Sequence, residues 1–174
     1  MDILALDMAT ITGWATHIDG NTESGVQDFT KRRGESNGMI YLRFNAWLDK
    51  MTLFSPCTVE GRRRLDVLCA DPDNILPPFD LVVYEQAHHR GGAATEIGVG
   101  LMTRAQEFAT RIGAEYTAVH TSTLKKFATG SGRASKEDIM TWASFKTGRA
   151  ITDDNEADAL ALLYYAREEY NASV

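Results

Sequence analysis

The chain has 174 residues, 24% of them charged and 44% hydrophobic, with a formal net charge of −6. That length and balance predict one domain spanning 1–174 with a real apolar core, and they exclude collagenous, low-complexity and disulfide-stapled classes. No apolar run approaches the roughly 20 residues that a membrane span requires, and the first residues have no basic flank of a leader, so a cytoplasmic protein without a membrane partner is expected.

The elements are taken in chain order. Ile3-Leu4-Ala5-Leu6-Asp7 is a short apolar run closed by a carboxylate and predicts a buried strand. Gly13 to Ile18 has strand character, Asp19-Gly20-Asn21 is a hairpin turn signal, and Gly25 to Phe29 is the returning strand. Ser36 is the expected cap of a helix in which Met39, Ile40, Leu42, Phe44, Trp47, Leu48 and Met51 recur at helical spacing. All four prolines fall between Ser55 and Pro78, which rules out one continuous helix there and leaves room for a short one around Val59 to Leu68. Cys57 and Cys69 lie in or near the same stretch and are too few for a zinc set, so reduced thiols are expected.

Leu81-Val82-Val83-Tyr84-Glu85 repeats the pattern of the first strand. The Gly-containing stretch His88-His89-Arg90-Gly91-Gly92 follows, then a long helix from about Thr95 to Ile112 that Gly113 stops. Glu115 to Val119 is a further strand, Ser122 caps a short helix through Phe127, and Ser135 caps one from Lys136 to about Phe145. Thr152 or Asp153 caps the last helix, which runs to about Tyr170. A meander followed by alternating helix and strand predicts an α/β fold with a five-stranded mixed sheet, three strands antiparallel and the rest parallel, flanked by helices. Asp7 on the first strand and Glu85 on the fourth can then be neighbours.

Asp7 and Glu85 each end an apolar run, and Asp158 interrupts an Ala-Leu face behind Asp153, Asp154 and Glu156. Buried carboxylates that converge repel one another unless a divalent cation neutralises them. Two Mg²⁺ ions about 4 Å apart can activate a water and stabilise the leaving oxygen of a phosphodiester, so no side-chain nucleophile is needed. The charge distribution agrees. Residues 120–150 hold six basic groups (Lys125, Lys126, Arg133, Lys136, Lys146, Arg149) against two acidic ones, while 153–174 hold six acidic against one basic. Lys31-Arg32-Arg33 and Arg62-Arg63-Arg64 are further basic clusters. An acidic site among basic segments suits a metal-dependent nuclease.

Four stretches in this order resemble the RuvC family of Holliday junction resolvases, members of the RNase H-like superfamily. They are Ile3 to Asp7 followed by Thr12-Gly13-Trp14-Ala15; Val83-Tyr84-Glu85-Gln86; Ser122 to Lys126 leading to Gly130 through Lys136; and Glu156 to Ala161. The resemblance implies a Mg²⁺-dependent crossover junction endonuclease, with Mn²⁺ able to substitute, two ions per site, acting on four-way DNA junctions as a homodimer. Asp7, Glu85 and Asp158 match metal-binding positions, with Asp7 bridging. The fourth such position is Asn155 here, a departure, and Asp154 or Glu156 beside it are the alternatives. Lys125 and Lys136 match basic positions near the scissile phosphate, and Lys136 joins the catalytic set. His88, with His89 and Arg90, falls where the family places a stacking wedge; Lys126 and Arg133 extend the DNA-binding surface. The long helix would contribute to the dimer.

Three alternatives compete with that reading. A broader branched-DNA or flap endonuclease needs the same residues. A non-catalytic junction-binding module is what Asn155 would permit. A sugar kinase or actin-like ATPase also ends its first strand in Asp, but needs two such domains and commonly exceeds 300 residues. Compactness favours a phage or bacterial setting, and so the cytoplasm of a bacterium or an infected host.

Overall fold

The computed structural model describes residues 1–53, 78–86 and 92–171. Its five strands are β1 (Ile3–Asp7), β2 (Ile11–Ile18), β3 (Asn21–Asp28), β4 (Leu81–Glu85) and β5 (Glu115–Val119), in sheet order β3-β2-β1-β4-β5. β1–β2 and β2–β3 pair antiparallel, whereas β1–β4 and β4–β5 pair parallel. The expected mixed sheet, meander first, is therefore the one observed. Among the described residues five helices flank it: α1 (Gly38–Leu53), α2 (Gly92–Ile112), α3 (Thr121–Thr129), α4 (Lys136–Thr147) and α5 (Asp154–Asn171). None of them is long and apolar enough to cross a membrane.

Strand alternation divides the interior into two cores. Ile3 and Ala5 of β1, with Leu81 and Val83 of β4, face α3, α4 and α5 through Leu124, Ile139, Ala143 and Leu160. Leu4, Leu6, Val82 and Tyr84 face α1 and α2 through Ile40, Phe44, Leu101 and Phe108. Both strands are buried on both faces, which is why they read as continuous apolar runs rather than alternating ones. By the same parity Asp7 and Glu85 belong to the α5 side.

Several boundaries differ from the sequence expectation. β2 begins at Ile11 and β3 at Asn21, because the tight turn at Asp19 (φ 50°) and Gly20 (φ 83°) closes the hairpin two residues wide and pairs Ile18 with Asn21. α1 starts at Gly38, two residues after Ser36. α2 starts at Gly92, ahead of Thr95. α3 starts one residue before Ser122, with His120 at the cap position and no side-chain cap. Ser135 does cap α4, in a reciprocal capping box with Asp138. The helix expected around Val59 to Leu68 lies outside the described residues, as do Cys57 and Cys69.

Candidate active site

β1 and β4 run side by side in parallel, with Leu6 opposite Tyr84, so their last residues, Asp7 and Glu85, leave the sheet at the same edge. The carboxyl ends of parallel strands are where ligands approach this kind of sheet. α5 lies across that edge and packs on β1, β2, β3 and β4. Its N-terminal turns approach closely because the residues beneath are small. A Cβ on Gly13, which pairs with Asp7 across β1–β2, would stand 1.8 Å from the Asn155 carbonyl oxygen. Ala157, Ala159 and Ala161 are fully buried in the same contact. Asp158 is thereby delivered to the sheet edge inside an otherwise apolar helix face.

These carboxylates act on one another electrostatically. Asp7 is held well above the usual carboxylate range, first by burial, then by the charges of Glu85, Asp158 and Asp154, against a smaller opposing effect of Lys136. Asp158 is pushed up to about 6, again by burial first and then by Glu85 and Asp154, with Lys125 and Lys136 opposing. Burial and like charges both disfavour the ionised form, so the cluster is short of positive charge.

Four neighbours of the cluster behave differently. Asp154, the first residue of α5, forms an ion pair with Lys136, which holds its carboxyl below the usual range and raises the lysine. Asp153 caps α5: its Oδ1 accepts from the Asn155 backbone N–H at 2.9 Å and from the Asn155 side-chain amide at 3.2 Å. Glu156 turns away from the cleft to Arg149 at 2.5 Å and to the Ser24 hydroxyl at 2.9 Å, tying the start of α5 to β3. Of the three residues weighed beside Asp158, Asp154 is the one whose charge acts on both Asp7 and Asp158.

The basic residues separate in the same way. Lys125 is half-buried on α3, with its ammonium donating to the Ala134 carbonyl at 2.8 Å, and its charge reaches Asp158. Lys126 and Arg133 are exposed and are not among the charges acting on Asp7 or Asp158. His88, His89 and Arg90 lie outside the described residues.

Sequence reasoning missed Thr121, whose hydroxyl at the start of α3 donates to Glu85 Oε1. A lone Thr beside a predicted cap carries no signal of this. Gly13 was visible in its motif, but its role as the floor under Asn155 appears only once α5 is docked.

Every donor in the cluster is a carboxylate oxygen, the ligand type that hard divalent cations prefer. The fit of such ions rests on this donor chemistry and on the mutual repulsion. Among the described residues no three His, Cys, Asp or Glu side chains are gathered as closely as ligands of one ion would be.

Solved structures share this fold. A structure of Thermus thermophilus RuvC matches with a TM-score of 0.62 and 19% identity, covering 97% of this chain and 96% of that one. The T. thermophilus RuvC structure in complex with Holliday junction substrate matches with a TM-score of 0.65 at 19% identity, over 97% and 96% of the two chains. The chain has the RuvC fold. No family model and no curated protein matches the sequence. In the order of the RuvC fold, the cleft formed by Asp7, Glu85 and Asp158 spans the ends of the first and fourth strands and the final helix.

Proposed function

We propose that this protein is a divalent-metal-dependent endonuclease that cuts branched DNA, four-way junctions foremost, by hydrolysing a phosphodiester at Asp7, Glu85 and Asp158. The observation that carries the reading is the convergence of carboxylates from β1, β4 and α5: burial and the charge of Glu85 raise both Asp7 and Asp158, with too little positive charge to offset them. The RuvC fold, one of whose solved examples holds a Holliday junction, supports the choice of substrate.

On this reading Asp7, Glu85 and Asp158 would hold Mg²⁺, with Asp154 completing the set on α5 in place of Asn155. Bound there, the ions supply an activated water and neutralise charge on the phosphate. The chain's own groups do the rest. Thr121 orients Glu85 through its hydroxyl. Asp154 keeps Lys136 protonated at the mouth, where its ammonium meets the phosphate as negative charge develops. Lys125 braces the 130–134 loop through Ala134 and lowers the cost of ionising Asp158. Lys126, Arg133 and the His88-His89-Arg90 stretch extend the DNA contact, with the imidazoles as stacking groups. Two copies joined through α2 would place two sites on opposite strands and yield paired nicks. The setting is a bacterial or phage-infected cytoplasm.

A second reading, a junction-binding module without cleavage, rests on Asn155, a neutral side chain beside Asp158 whose amide N–H donates to Asp153 Oδ1. The same experiment separates the two. A labelled four-way junction is incubated with Mg²⁺, with Mn²⁺ and with EDTA, beside linear duplex and flap controls. Paired nicks in opposite arms, lost in EDTA, are expected. Tight junction binding without cutting in either metal would replace the nuclease reading with the binding one. Equal cutting of flap and junction would widen the substrate class.

A further inference from the structure

The basic triplet Lys31-Arg32-Arg33 plays no part in the cleft, yet the topology puts it at the same edge. β2 is antiparallel to β1 and β3 is antiparallel to β2, so β3 runs in the direction of β1 and ends where Asp7 ends. Asp28, the last residue of β3, pairs with Ile11, and the Phe29 N–H donates to the Thr10 carbonyl at 2.7 Å, beside the turn that follows Asp7. Two strand spacings of about 4.8 Å and two residues of overhang put Asp28, from which the 29–37 loop departs, roughly 12 Å from Asp7.

The loop is built rather than slack. Phe29 is buried and stacks edge-on against Phe44 and Trp47, at 5.4 and 5.7 Å between ring centroids. Asp28 Oδ1 accepts from the Thr30 N–H at 2.7 Å, and Glu35 Oε2 from the Arg32 N–H at 2.7 Å. The Arg43 guanidinium reaches both Glu35 oxygens, at 2.6 and 2.7 Å, and also the Thr30 carbonyl at 3.2 Å. Gly34 supplies the left-handed turn (φ 87°). These bonds point the loop's backbone donors inward and leave Lys31, Arg32 and Arg33 exposed. Glu35 is clamped by both Arg43 hydrogen bonds, and its charge also reaches Arg32, so it offsets the triplet only in part. The Lys31 ammonium rests on a neutral partner, the Asn37 side-chain oxygen, at 3.0 Å. Among the described residues none of the three cations is in a salt bridge.

We propose that this loop is a second phosphate-contacting surface, which grips the backbone of one duplex arm a few base steps from the cut and reads no sequence. Three adjacent cations on a rigid loop, in a chain of net charge −6, have the chemistry of a phosphodiester track. The inference rests on the proposed function, since it needs DNA in the cleft.

The test uses the full chain with Lys31→Ala, Arg32→Ala and Arg33→Ala combined. Junction affinity is measured across a salt series, beside single-turnover cleavage in Mg²⁺ against protein concentration. Three lost phosphate contacts lower the log–log salt slope by about 2–3 and weaken binding roughly 10- to 100-fold near 0.1 M salt. The loss should fall on the half-saturating concentration rather than on the saturated rate. Glu35→Gln provides the second arm. It removes a negative charge, so charge alone predicts tighter binding, whereas a built loop predicts weaker binding because the Arg43 clamp is lost. An unchanged slope in the triple variant, or tighter binding by Glu35→Gln, overturns the inference. A wild-type protein that neither binds nor cuts branched DNA overturns the proposed function itself.

Discussion

At Asp7 and Asp158 the fold maintains two carboxylates where burial and like charge both oppose ionisation, and this has a stability consequence that can be measured without DNA. Asp158 titrates near pH 6 when folded, against an ordinary value of 3.8. Between those values the folded state holds the extra proton, so the contribution of this group to stability is fully present below about pH 4 and is lost as pH rises through 6. The shift corresponds to at most about 3 kcal/mol. In EDTA, Asp158→Asn should therefore melt higher than wild type at pH 8 and show no such advantage at pH 4. Asp7, raised in the same direction, should behave alike. Asp7→Asn should also abolish junction cleavage while leaving junction binding intact. Variants that gain no stability at pH 8 would mean the native cleft already compensates these charges. Residual full cleavage would remove Asp7 from the site.

The docking of α5 on the sheet sets the cleft at the scale of elements, and Gly13 limits it. A methyl group at residue 13 cannot share space with the Asn155 carbonyl, which is backbone and cannot rotate away. Gly13→Ala should push the start of α5 outward, at a cost of about 1–3 kcal/mol or more, and take Asp154 and Asp158 with it. Cleavage should then fall far more than the change in melting temperature would explain. Equal losses in both would make Gly13 a packing residue only. Ser135→Ala is the milder counterpart. It removes the α4 capping box just before Lys136, at about 0.5–2 kcal/mol, and should reduce cleavage modestly by loosening the Lys136–Asp154 pair. A variant that loses stability with undiminished cleavage would separate the cap from Lys136.

The same scale explains what the sequence could disclose. β1 and β4 were legible because strands covered on both faces leave continuous apolar runs, and a carboxylate ending such a run stands out. Asp158 was legible because charge inside an Ala-Leu helix face has no packing reason. The capping box of α4 is a local signal and was read as such. Thr121 and the Gly13–Asn155 approach depend on elements far apart in the chain meeting at the sheet edge, and no local period records that. The early starts of β2 and β3 were hidden because polar edge-strand residues such as Asn21, Glu23 and Gln27 carry little strand signal. Separating Glu156 from Asp154 needed the Arg149 and Ser24 partners, which come from the α4–α5 loop and β3.

At the scale of the whole molecule, charge is unevenly placed among the described residues. The cleft concentrates negative charge at one edge of the sheet, with Lys125 and Lys136 on α3 and α4 to one side and the 29–37 loop beyond β3 on the other. Without a cation the cleft repels itself, so a divalent ion that enters it should stabilise the native state by mass action. At an Mg²⁺ concentration 100 times the dissociation constant the gain is about 2.7 kcal/mol, a shift of several degrees for a domain of this size. General screening also relieves repulsion, but by ionic strength alone. Melting curves at pH 8 in MgCl₂ and in KCl of matched ionic strength should therefore diverge, with the larger rise in Mg²⁺. Asp7→Asn should melt higher than wild type in EDTA and gain less from Mg²⁺, because the charge that repels and the ligand that binds are the same carboxylate. Coincident curves in the two salts would mean the cleft is merely screened, and would turn the functional reading toward junction binding without cleavage.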